Sequence, residues 1–228
     1  MKKSFALLVV CMLVIGLLAG CGGGDKKPAA PAAPAADKKV FVNIATGGTA
    51  GVYYPLGGAM AEIFNKNIPG MNASAQSTGA SVANINLIKD GKVEVALVQN
   101  DIAYYAANGT EMFKDKKVEA IQGIASLYNE TIQIVTIEGK GIKTVADLKG
   151  KRVAVGALGS GTEANARQIM EIFGITYADI KPQYLSFGEA ANGLKDGNID
   201  VAFVTAGAPT AAIQDIAAQH KVALVSVP

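Results

Sequence analysis

The sequence predicts an α/β protein built as two similar βαβ lobes, and three observations predict it. From Val40 onward, short β-branched runs alternate with helical patterns, the order expected of units that form a mainly parallel sheet. The stretch IKDGKVEVALV at 88–98 returns as LKDGNIDVAFV at 194–204, so helix end, turn and strand recur at an offset of 106. Glycine-rich turns follow the predicted strands in both copies, NIATGGTAG in the first and VAVGALGSGT in the second.

Composition agrees. The 228 residues are 50% apolar and 18% charged, with 26 glycines, one histidine and two cysteines, which fits a large globular core and excludes collagen, disorder throughout and a disulfide scaffold. Without Lys2 and Lys3 the chain sets 19 basic residues against 19 acidic, so a nucleic-acid partner has no electrostatic basis. With His220 alone, Cys/His metal sets and Ser-His-Asp triads lack parts. No metal, no cofactor and no catalytic residue is expected.

The first element is a leader, residues 1–20. Lys2 and Lys3 precede an unbroken apolar run from Phe5 to Leu18, shorter than the roughly 20 residues of a membrane span. The run ends in Leu18-Ala19-Gly20-Cys21, which matches a bacterial lipoprotein signal: Cys21 is the expected lipidated first residue of the mature chain. An uncleaved N-terminal anchor is the alternative, and either places the rest outside the cytoplasmic membrane, in the periplasm or on the cell surface. Cys11 leaves with the leader, so no disulfide is available to the folded part. Residues 21–39 (CGGGDKKPAAPAAPAADKK) lack the apolar content to pack and read as a flexible tether.

Residues 40–135 form the first predicted lobe, with strands VFVNIAT, ASAQS and VEVALVQ separated by helices. Pro55 suits a first helical turn, and Leu56, Ala59, Met60, Ile63 and Phe64 share the helix face assigned to the core. Asp101 is the expected N-cap of the helix IAYYAANG. The stretch 118–138 is strand-rich and reads as a crossing segment between lobes. In the second lobe, 136–228, TVADLKGKRVAVG gives a short helix, a turn and a strand; Arg167 reads as a solvated or inter-helix charge, and His220 as a surface residue near a helix end.

Turns at the carboxyl ends of parallel strands gather where ligands bind, and they present free helix N–H groups and hydroxyls. The candidates are Gly48, Thr49 and Gly51 in the first turn, Ser77, Thr78, Gly79 and Ala80 in the second, and Ser160, Gly161 and Thr162 in the third. They suit an anion, because glycine allows close backbone approach and the helix dipole adds attraction. Tyr53 and Tyr54 follow the first turn, so at least one is expected to wall the cleft, and Gln99 ends the third strand on the same edge. Neither a Walker loop nor the G-x-G-x-x-G fingerprint occurs, and the G-x-S-x-G elbow is missing around Ser160.

The strings IATGGTAGVYYPLGGAMAEIFN, STGASVANINLI, KDGKVEVALVQND and TVADLKGKRVAVGALGSGT together resemble the TAXI family of extracytoplasmic solute-binding proteins that serve TRAP transporters. The resemblance implies a type II periplasmic-binding-protein fold, two βαβ lobes around a hinged cleft, that binds a glutamate-like amino acid or an oxo or dicarboxylic acid. It also implies delivery to an ion-gradient-driven TRAP-type permease; the protein is expected to be a monomer, and the lipid expected on Cys21 from the leader agrees with a place at the membrane. Such proteins return the chain from the second lobe to the first; this sequence stops at SVP (226–228), so a truncated chain is expected. A secreted α/β hydrolase-like enzyme using Ser160, and a surface antigen with an idle cleft, are the competing classes.

Overall fold

A computed structural model describes residues 39–227. The leader, Cys21 and nearly all of the tether lie outside the described residues.

The first lobe runs β1 (Val40–Ala45), α1 (Tyr53–Asn67), β2 (Met71–Gln76), α2 (Ser81–Lys89), β3 (Val95–Ala96) and α3 (Asn100–Asn108). Its sheet has the order β2-β1-β3 and is parallel throughout. The second lobe holds β4 (Thr131–Ile137), β5 (Arg152–Ala154), α4 (Gly161–Ile172), β6 (Lys181–Gln183), α5 (Phe187–Lys195), β7 (Val201–Ala206), α6 (Ala211–Ala217) and β8 (Val222–Leu224), in the sheet order β6-β5-β7-β4-β8. The triplet β6-β5-β7 repeats β2-β1-β3 in order and direction. β4 adds antiparallel to β7 and β8.

The repeat extends to individual hydrogen bonds. Gly91 and Gly197 both take left-handed backbone (φ 65° and 72°), which glycine adopts without a Cβ clash. Each then donates its N–H three residues back, to Ile88 and Leu194. Beyond each turn an acidic side chain accepts a backbone N–H from the next strand: Asn43 donates to Glu94 at 2.7 Å, and Arg152 to Asp200 at 2.9 Å. Asp200 also takes the Arg152 guanidinium in a two-pronged pair, Nε at 3.0 Å and Nη2 at 2.6 Å.

The second sheet is covered on both faces. Ile134, Leu148, Val153, Met170 and Phe203 form one core, and Ala154, Leu194, Val204 and Ile216 the other. That explains why β7 reads VAFVTA with every residue buried, as in strands covered on both sides. The first sheet has a smaller core of Ile44, Ala61 and Ala73 under α1. On its other side Ile85, Ile102, Ala106 and Phe113 enclose Ala164, so the start of α4 packs into the first lobe.

Four local expectations are corrected. The buried residues of α1 are Gly57 and Ala61, with Met60 and Phe64 partly covered; Ala59 is exposed and Ile63 is 57% exposed. Small residues bring this helix down onto the strands, since a Cβ on Gly57 would collide with Thr46, so the contact line runs through the smallest side chains and not the largest. Of 118–138 only Thr131–Ile137 is strand; Val118–Glu130 has no sheet partner among the described residues, and Ile124 (85%) and Leu127 (53%) are exposed. The α3 helix starts at Asn100, two residues earlier than expected, so Asp101 lies in the first turn and Gln99 takes the cap position. β4, which a boundary at 135 divides, pairs as a whole with the second sheet.

Arg167 pairs with Glu171 at 3.3 Å on its own helix and with Glu111 of the first lobe at 3.2 Å. His220 follows α6 and is partly exposed, its N–H bonded to the Ile216 carbonyl. TVADLKGKRVAVG forms a 3-10 turn at Val145–Leu148, capped reciprocally by Thr144 and Asp147, before β5.

Candidate functional site

The carboxyl ends of the parallel strands of both sheets face one cleft. The first lobe contributes Gly47, Gly48, Gly51, Val52, Tyr53, Thr78, Gly79, Ala80 and Gln99. The second contributes Ala157, Ser160, Thr162, Ser186, Phe187, Thr205 and Ala206, and Tyr128 and Glu130 enter from the segment just before β4.

Helix N-termini dominate this wall. Tyr53 opens α1, Ala80 precedes α2, Ser160 caps α4 and Ser186 caps α5. Ser160 Oγ accepts the Glu163 N–H at 3.1 Å, so its own hydroxyl proton is free to donate, and the Gly161 and Thr162 N–H groups have no partner among the described residues. Ser186 and Glu189 form a capping box, a pattern visible in the sequence as S-x-x-E. Such termini offer aligned N–H donors and the positive end of the helix dipole.

The predicted residues divide. Gly48, Gly51, Tyr53, Thr78, Gly79, Ala80, Gln99, Ser160 and Thr162 line the cleft. Thr49 is exposed outside it, as is Tyr54 (37%), and Ser77 turns its hydroxyl to the Gly47 carbonyl at 3.0 Å. Gly161 is not in the wall, but a side chain there would occupy the place of the Gln99 amide. The N–H groups expected at the second turn are partly used: Ala80 donates to Thr78 Oγ1 at 3.0 Å, and Ala83 donates across the cleft to the Gly159 carbonyl at 3.0 Å. Ala80 itself holds φ 73° and ψ −148°, a region nearly reserved for glycine.

Gln99 is buried and committed to the other lobe. Its Nε2 donates to Asn165 Oδ1 at 2.8 Å, Thr205 donates to the same oxygen at 3.2 Å, and Asn165 Nδ2 donates to Asp101 Oδ2 at 2.8 Å. Asn165 therefore joins α4, β7 and α3. A second buried amide, Asn84, donates to the Thr46 and Leu97 carbonyls at 2.6 and 2.8 Å and fixes the ends of β1 and β3.

Glu130, Tyr128, Ser186, Phe187 and Thr205 line the cleft without having been singled out in the sequence. Tyr53 donates to Glu130 Oε2 and Tyr128 to Oε1, each at 3.1 Å, with the two rings edge to face at 6.5 Å. Burial raises the Glu130 carboxyl above its ordinary range, the two tyrosine donors pull it back, and the charge of Asp101 adds to the rise. Burial first, and Glu130 second, push both tyrosine hydroxyls up as well. The wall contains no lysine, arginine or histidine. What the arrangement offers is a set of donors around one carboxylate.

Residues 44–228 match the NMT1-like family. Among solved structures, the alkanesulfonate-binding protein of Xanthomonas axonopodis pv. citri, bound to MOPS, is similar at TM-score 0.55 and 18% identity, over 84% of this chain and 62% of that one. A protein of Bordetella bronchiseptica RB50 is similar at 0.62 and 20%, over 82% of this chain and 56% of that one. An ancestral arginine-binding protein bound to arginine is similar at 0.54 and 19%, over 82% of this chain and 78% of that one. The chain thus spans about three-fifths of the length of the first two. The fold is that of the type II periplasmic binding proteins.

Proposed function

Because the chain belongs to the NMT1-like family, we propose that it is an extracytoplasmic solute receptor that closes its lobes on a small carboxylate. It delivers that solute to a TRAP-type permease and is held at the membrane by lipid on Cys21. The observation that carries the carboxylate is the convergence of four helix starts, at Tyr53, Ala80, Ser160 and Ser186, on a cleft without lysine or arginine. An anion there is met by N–H groups and hydroxyls, each helix end contributing about 0.3–1 kcal/mol through its dipole. Solved proteins of the same fold are bound to MOPS and to arginine, each of which carries an acidic group, and this supports an acid as the solute. The TRAP partner rests on the GGTAGVYYPLGG resemblance. Binding, not catalysis, is the assigned role, and the likeness in fold to solved solute-binding proteins supports it.

Calorimetric titration with carboxylates, alkanesulfonates, neutral sugars and divalent cations tests the assignment. Saturable binding of a carboxylate, without turnover, is expected. Selective binding of a sugar, a cation or a sulfonate, with no response to any carboxylate, overturns it.

A further inference from the structure

Several glycines of the cleft turns touch the opposite lobe. A Cβ on Gly79 would stand 2.8 Å from the Leu158 carbonyl oxygen, and one on Gly161 would occupy the place of the Gln99 amide. A Cβ on Gly48 would meet Ser186 Cβ at 3.3 Å, and one on Gly188 would meet Ala50 Cβ at 3.4 Å. Only the Gly79 contact is with main chain of the other lobe, and it is shorter than Cβ atoms tolerate, so a backbone would have to move.

Inside its own lobe little demands a glycine at this position. Gly79 does not hold left-handed backbone, and the nearest atom of its own lobe to an added Cβ is Ala83 Cβ at 3.3 Å, which yields with a small shift. Beside it the main chains of the two lobes are joined. Ala83 lies in the first turn of α2, where an N–H has no carbonyl of its own helix to reach. It donates instead to the Gly159 carbonyl of the second lobe at 3.0 Å. The Leu158 carbonyl thus lies against Gly79 while the next carbonyl takes the Ala83 N–H.

We infer that Gly79 is a positioning residue for lobe closure: its missing side chain lets the start of α2 seat against the Leu158–Gly159 main chain, and the seat forms the Ala83–Gly159 hydrogen bond. The inference rests on the reading of the chain as a receptor whose lobes close, and adds that main chain against main chain holds the closed state at this rim. Because Gly79 also lines the cleft, affinity alone would not separate a lost solute contact from a lost seat. The Ala83 amide separates them, since its partner lies in the other lobe.

Amide hydrogen exchange of the full chain, followed by NMR without added solute, tests this. In Gly79→Ala the Ala83 amide is expected to exchange at least about tenfold faster. Leu97, bonded to Ala45 within the first sheet, and Val155, bonded to Gln183 within the second, are expected to keep their rates. Gly58→Ala, on α1 with open space around the added Cβ, is expected to leave all three unchanged. Unchanged Ala83 exchange in Gly79→Ala overturns the inference, as does a wild-type Ala83 amide that exchanges like a free one. Equal acceleration at Ala83, Leu97 and Val155, or a Gly79→Ala chain that fails to fold, overturns it too, because the first lobe has room for the methyl group. Titration of the wild type with L-glutamate, 2-oxoglutarate and succinate addresses the receptor separately: binding by none of them counts against the carboxylate reading, while exchange still decides the seat.

Discussion

Gln99 of the first lobe donates to Asn165 of the second at 2.8 Å, one of three hydrogen bonds that meet at one buried amide. Because the other two come from Thr205 and Asp101, a single side chain ties both lobes at the floor of the cleft. Asn165→Ala is expected to lower stability by about 1–3 kcal/mol, since it takes a partner from the buried Gln99 and Thr205 and from the half-buried Asp101. Urea unfolding measures it. A loss below half a kilocalorie would show that water replaces Asn165 at no cost.

Ser160→Ala removes both a cap and a cleft donor. Loss of the cap is expected to cost about 1 kcal/mol of stability, and loss of the hydroxyl to weaken carboxylate binding by about 1–2 kcal/mol. Melting and titration of the same sample separate the two effects. Unchanged affinity would remove Ser160 from the site.

Ala80→Gly is expected to stabilise the protein. Relief of the backbone at φ 73° returns about 1–3 kcal/mol, and the added freedom of glycine in the unfolded chain takes back about 0.5–1 kcal/mol. A net gain of about 1 kcal/mol corresponds to a rise of about 2–4 °C in Tm for a domain of this size, measured by scanning calorimetry.

Acid titration probes the pair of Arg152 and Asp200. The guanidinium holds the Asp200 carboxyl at about 2, below its unfolded value, so its contribution is complete above about pH 4 and is lost as the pH falls through about 2. With Arg152 38% exposed, screening reduces the contribution to about 1 kcal/mol. Asp147, Asp179 and Glu189, each held low by its cap, add slope of the same sign. Asp200→Asn is expected to flatten stability between pH 4 and 2 in part; an unchanged slope would assign it to the caps alone.

Lipid attachment is read from Leu18-Ala19-Gly20-Cys21. Labelled palmitate is expected to enter the wild-type protein in bacterial cells and to be absent from Cys21→Ser. Label retained by that variant would move the anchor elsewhere.

The parts of the fold legible in the sequence are those with local causes. The alternation of elements and the KDG turns rest on glycine, periodicity and β-branching within a few residues, and the three glycine-rich turns reach the cleft because strand ends in parallel sheets always gather there. The α1 face was less legible, because Gly57 and Ala61 make its contact and small residues carry little weight in an apolar pattern. Val118–Glu130 has strand-forming side chains, but a strand also needs a neighbour, which no propensity records. Glu130 and Tyr128 carry no motif at all. Their arrival in the cleft depends on β4 running antiparallel beside β7, a pairing between residues some 70 positions apart.

The repeat at 106 has a consequence for orientation. It aligns α2 (Ser81–Lys89) with α5 (Phe187–Lys195) residue for residue and sets Ala80 opposite Ser186, both in the cleft wall. A duplicated frame presents much the same polarity from either side, so by itself it gives a solute no head and no tail. Tyr128 and Glu130 come from the stretch between the copies and have no twin. The unpaired part of the chain is what breaks the likeness of the two walls, and with it a bound molecule acquires a direction.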